Sequence, residues 1–94
     1  MAPAGSHPQA VWVFEEALQF VLEFLHGRFD HQTIRFVLDW LDGYIVSQAN
    51  AGLVVDPVRD FPLELRNRVP IEVVEAVDLA NLEYLRHLGL VADN

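Results

Sequence analysis

The chain reads as an all-α protein, a small bundle of three main helices, and three observations lead there. Two long apolar segments carry their polar residues mostly three or four positions apart, so the polar side chains line one helical face. Glycine and proline interrupt the chain at Gly27 and again between Gly52 and Pro70, which leaves three long stretches free of breakers or nearly so. A composition that is 52% hydrophobic and 21% charged lies far from that of disordered chains.

Residues 1–8 hold Pro3, Gly5, Ser6 and Pro8 with little to bury, and read as a tail. A single helical domain is expected over 9–91, with 92–94 a short C-terminal tail. Ninety-four residues suffice for one modest core.

The first helix is expected over about 9–26. Glu15, Glu16, Gln19, Glu23 and His26 form one narrow polar stripe, and nearly everything else from Val11 to Leu25 is large and apolar. A helix that packs one face on a core shows an apolar stripe roughly 100° wide. Here the polar stripe is the narrow one. The second helix, about 30–48, repeats the pattern with Gln32, Arg35, Asp39 and Asp42. Gly43 is its weak point, costing roughly 1 kcal/mol against alanine.

Between 49 and 70 the prolines imply turns, and a short extra helix is expected near 62–68 with Pro62 in its first turn. Arg59, Arg66 and Arg68 are matched there by Asp56, Asp60 and Glu64, which points to local pairing. The third main helix is expected over 70–88, opened by Pro70. Glu72 and Glu75 sit in its first turns, Arg86 and His87 in its last, and Gly89 closes it. Helices one and two, joined by a short elbow, are expected to form an antiparallel hairpin.

The densest group of chemically capable side chains is His26, Arg28, Asp30 and His31, within "FLHGRFDHQTIRF". A helical metal pair needs ligands three or four apart on one face. His26 and His31 are five apart, with Gly27 between them. Capping explains each residue instead: His26 ends helix one, Gly27 follows it, and Asp30 caps helix two. The hydroxyls of Ser6, Thr33 and Ser47 occupy no nucleophile elbow, and no Asp-Ser-Leu exists for a phosphopantetheine arm. The absence of cysteine excludes disulfides and thiolate chemistry. No catalytic residue, metal or cofactor is therefore expected.

A net charge of −8 and a pI near 4.7 argue against a general affinity for nucleic acid or anionic membranes. No apolar run is long enough to span a membrane, and the N-terminus lacks a signal peptide's basic start and apolar block. A cytoplasmic protein is the expectation.

Two helices more apolar than a three-helix bundle can bury imply a leftover apolar strip, which monomers rarely tolerate. The expected function is a non-enzymatic protein-interaction module, a small accessory, adaptor or regulatory protein. Its partner would be a second copy, forming a homodimer, or another protein. The expected interface comprises Trp12, Phe20, Phe24, Phe36, Trp40 and Tyr44, with the elbow bringing Phe24 and Phe36 together. The alternative is a ligand-binding or metal-dependent catalytic helical domain around an apolar cavity. Its polar contacts would be His26, His31, Asp78 and Asn81.

Overall fold

The computed structural model describes residues 11–90, so the tails expected at 1–8 and 92–94 lie outside the described residues. Within them the chain is helical: α1 (Phe14–Leu25), α2 (His31–Ala51), α3 (Pro57–Asp60), a 3-10 turn (Leu63–Leu65) and α4 (Ile71–His87). The expected all-α bundle is present. α1 and α2 form the hairpin, and α4 packs across both and against α3. No described helix is long and apolar enough to cross a membrane.

The core follows from the helical period. Ala17, Leu18, Val21 and Leu25 of α1 meet Ile34, Val37, Leu38 and Leu41 of α2. Val73, Val74, Val77 and Ala80 of α4 close the third side. Each buried leucine, isoleucine or valine contributes roughly 1.5–3 kcal/mol of transfer free energy.

Helix boundaries depart from the sequence reading in five places, each for a local reason. α1 starts at Phe14, not near 9, because Val13 is extended and offers no side-chain oxygen to cap the helix, and Val11 and Trp12 before it are not helical. It ends at Leu25, because His26 turns left-handed (φ 52°) and Gly27 follows it (φ 72°). α2 runs through Gly43 to Ala51, where Gly52 takes the left-handed cap and the Leu53 N–H donates to Gln48 O at 2.9 Å. Gly43 is tolerated on the outer face, in open space.

The expected helix at 62–68 is instead two shorter pieces. Pro57 opens α3, whose cap is Asp56 accepting from the Arg59 N–H at 3.3 Å. Pro62 precedes a single 3-10 turn. The Arg66 guanidinium spans both, donating to the carbonyls of Val58 (2.9 Å), Arg59 (3.3 Å) and Phe61 (3.3 Å). It satisfies carbonyls that so short a helix leaves open. Finally, Pro70 is the extended residue ahead of α4, not its first turn.

Candidate functional site

The elbow is a capping device. The Asp30 carboxylate accepts from Thr33 N (3.1 Å) and Thr33 Oγ1 (3.2 Å), which fixes the start of α2. His26 and His31 are exposed on either side of it. Among the described residues no group of three or more side chains is placed to hold a metal ion.

The polar residues of the alternative reading do not come together. Asn81 is 3% exposed and its Oδ1 accepts from the Trp12 indole N–H at 2.8 Å. Asp78 lies on the α3 side of α4, in a shallow depression with Val58, Glu75 and Leu79. Partial burial, with the negative charge of Asp56 nearby, raises its carboxyl above the ordinary range. Neither residue is near a histidine of the elbow in any depression they line.

The six aromatic residues expected at an interface divide into two kinds. Trp12, Phe20, Trp40 and Tyr44 are half-buried against the core. Trp40 meets the buried Phe61 edge-on at 4.9 Å and stacks on Tyr44 at 4.8 Å. Tyr44 then organises the α2–α3 connection. Its hydroxyl donates to Asp60 Oδ2 at 2.5 Å and accepts from the Asp56 N–H at 2.9 Å. Arg59 grips the same carboxylate through Nε (2.9 Å) and Nη2 (3.0 Å). These bonds from Arg59 and Tyr44 hold the Asp60 carboxyl down to about 2. Burial, then the bond to Asp60, pushes the Tyr44 hydroxyl above its ordinary value.

Phe24 and Phe36 are the exposed pair, each 45% accessible. The elbow does not bring them together. Phe24 stacks on Phe20 at 6.0 Å, and Phe20 in turn packs on Tyr84 at 5.0 Å and His87 at 6.0 Å. Burial and the neighbouring Glu16 raise the Tyr84 hydroxyl. Phe36 of α2 lies between two shallow depressions, one shared with Phe14, Arg35 and Asp39 and the other with Leu65, Arg68 and Val69. α4 and the 53–69 segment cover much of what the two-helix count left over.

Exposed apolar side chains include Phe24 on α1, Phe36 and Val46 on α2, the run Leu53–Val54–Val55 beyond α2, Leu63 in the 3-10 turn and Leu79 on α4. A further feature is an apolar groove of about 380 Å³ between the segment ahead of α1 and the facing sides of α2 and α4. Trp12, Ile45, Val46 and Leu85 wall it, and Asp42 and Asn81 are its polar groups.

The sequence reading gave no place to Phe61 and expected Arg66 to pair with a carboxylate, whereas it donates to backbone carbonyls. Phe61 left one signal, an aromatic residue in a segment with no stripe to explain it.

No protein-family model, curated protein or solved structure matches this chain.

Proposed function

We propose that this chain is a non-enzymatic interaction module of the accessory, adaptor or regulatory kind. It binds polypeptide through the aromatic edge of α1, and a second copy is its first partner. The observation that carries the reading is Phe24: 45% accessible, yet held by stacking on Phe20, which Tyr84 and His87 back. A ring immobilised before binding loses little entropy on contact, which is how aromatic anchors come to dominate interfaces. The acidic exterior, net −8, adds solubility and favours partners with basic surfaces. Nothing in a cysteine-free chain requires an oxidising compartment, and the reading places it in the cytoplasm.

Sedimentation equilibrium at low micromolar concentration tests self-association, with Phe24→Asp as the variant. The expected result is a dimer that becomes a folded monomer on substitution, with helical circular dichroism unchanged. A wild-type monomer that captures one host protein through Phe24 would replace the second copy with a different partner. A wild-type monomer whose captured proteins are the same with and without Phe24 would end the proposal.

A further inference from the structure

Glu16, Phe20, Phe24 and Arg28 are spaced four apart along α1 and the turn that follows it. Residues four apart stack along one side of a helix as a ridge, and helices pack by fitting such ridges together. Phe20 and Phe24 form the middle of this edge, one half-buried and one exposed, with their rings stacked at 6.0 Å. Glu16 lies in the first turn of α1 and is exposed. Arg28 comes just after the left-handed pair His26 and Gly27. Its N–H donates to the Leu25 carbonyl at 3.0 Å, which keeps it at the C-terminal end of the helix. The edge therefore reads acid, aromatic, aromatic, base.

Both charged ends are open to a partner. None of the ion pairs among the described residues includes Glu16 or Arg28. The Tyr84 hydroxyl lies beside Glu16, and a carboxylate with two oxygens can accept a second donor as well. Arg28 is exposed, its guanidinium 4.9 Å from the centre of the Phe29 ring.

Turned end for end, the same edge reads base, aromatic, aromatic, acid, so it is its own complement. We infer that two copies of this chain pack α1 against α1 antiparallel, about a two-fold axis at the level of Leu22. Phe24 of each copy meets Phe20 of the other, and Arg28 of each pairs with Glu16 of the other. A closed contact of this kind uses one patch twice and so gains both ion pairs together. A parallel pair would instead set Glu16 against Glu16 and Arg28 against Arg28. An unrelated partner would need the reversed order on its own surface, whereas a second copy carries it already. The inference rests on the interaction-module reading and gives its second copy an orientation and two charge pairs.

Sedimentation equilibrium tests it on the full 94-residue chain, with Arg28→Glu, Glu16→Arg and the double variant beside the wild type. Each single reversal is expected to weaken the dimer about tenfold, since the symmetric contact loses both exposed pairs, and the double variant to return within about threefold of wild type. Arg68→Glu makes the same charge change beside α2, at another arginine outside the ion pairs of the described residues, and is expected to leave association unaltered. Orientation has its own readout, because the chain has no cysteine. Glu16→Cys mixed with Arg28→Cys is expected to oxidise to a disulfide-linked dimer, and neither variant alone to do so.

Cross-linking of Glu16→Cys with itself would mean a parallel pair and would overturn the assignment. So would equal weakening by Arg68→Glu and Arg28→Glu, or a double variant no tighter than the single ones. If neither reversal alters a dimer that Phe24→Asp still dissociates, this inference falls and the interaction module stands. A wild-type monomer also overturns it, and capture of one host protein through Phe24 then leaves the module with a different partner.

Discussion

The Trp12 indole N–H donates to the Asn81 carbonyl oxygen at 2.8 Å, tying the segment ahead of α1 to the middle of α4 across 69 positions of chain. The bond explains why Val11–Val13 leave the helix that periodicity extends through them. A non-helical approach sets the indole over α4, and α1 begins only once that contact is made.

Trp12→Phe is expected to destabilise the fold by about 1–3 kcal/mol, the cost of leaving a buried acceptor unpaired. Urea denaturation followed by far-ultraviolet circular dichroism measures it. Pairing it with Asn81→Leu is expected to cost less than the sum of the single changes, since the second substitution removes the orphaned group. Strict additivity would mean that the bond does not hold in solution.

Tyr44, Asp60 and Arg59 form a clamp with two pH edges. The Asp60 carboxyl is depressed to about 2 in the folded chain, so its contribution is complete above the unfolded value near 3.8 and is lost as pH falls through the folded one. The Tyr44 hydroxyl is raised above 10.0, so its contribution is complete below that value and is lost as pH rises through the folded one. Tyr44→Phe is expected to return the Asp60 carboxyl toward 3.8 and to flatten the alkaline edge. Carbon-13 NMR of the Asp60 carboxyl reads the first effect, and thermal melts above pH 10 the second. An unmoved Asp60 titration would leave Arg59 alone as its cause.

What was legible in the sequence is what acts over short separations. The Asp30 cap needs Thr33 three positions on, and the Gly89 closure of α4 needs Leu85 and Arg86 just before it. Amphipathic stripes likewise encode which face of α1 and α2 turns inward. Illegible were partnerships between distant segments that share no pattern: Trp12 with Asn81, Phe61 with Trp40, Arg66 with the open carbonyls of α3. The apolar excess is present but differently placed: four of the six expected residues pack against the core, while Val54, Leu63 and Leu79 are among the most exposed apolar side chains. Counting apolar residues on two helices ignores covering segments, and Phe61 covers one of those residues, Trp40. Of the six expected interface residues, four were drawn into or against the core, leaving Phe24 and Phe36 on separate faces.

Asp78 is held at a cost. Burial and the charge of Asp56 raise its folded carboxyl above the unfolded value, so the protonated form suits the fold better and stability from this group declines as pH rises through its titration. Asp78→Asn is expected to stabilise the chain at pH 7 by a fraction of a kcal/mol, since the side chain is only half-buried and solvent screens it. The advantage is expected to shrink toward pH 3, where wild-type Asp78 is itself neutral. Denaturation midpoints at the two pH values decide it. A loss of stability at pH 7 would mean that the carboxylate has a favourable partner.

The turn after α1 holds two consecutive residues at positive φ, His26 at 52° and Gly27 at 72°. A Cβ at Gly27 would meet nothing within 4 Å, so any penalty there belongs to the backbone alone. Gly27→Ala is expected to cost about 1–2 kcal/mol, and His26→Gly to recover a comparable strain less the added flexibility of the unfolded chain. The same pair of variants separates structure from chemistry at the elbow. If His26 serves only to end α1, His26→Gly raises the melting temperature and leaves the proposed self-association through Phe24 unaltered. Adding Zn²⁺ to the wild-type chain then shifts nothing, because a ligand bound by the folded state alone would raise its melting temperature. A zinc-dependent rise that vanishes in His26→Gly would instead make the elbow a metal site.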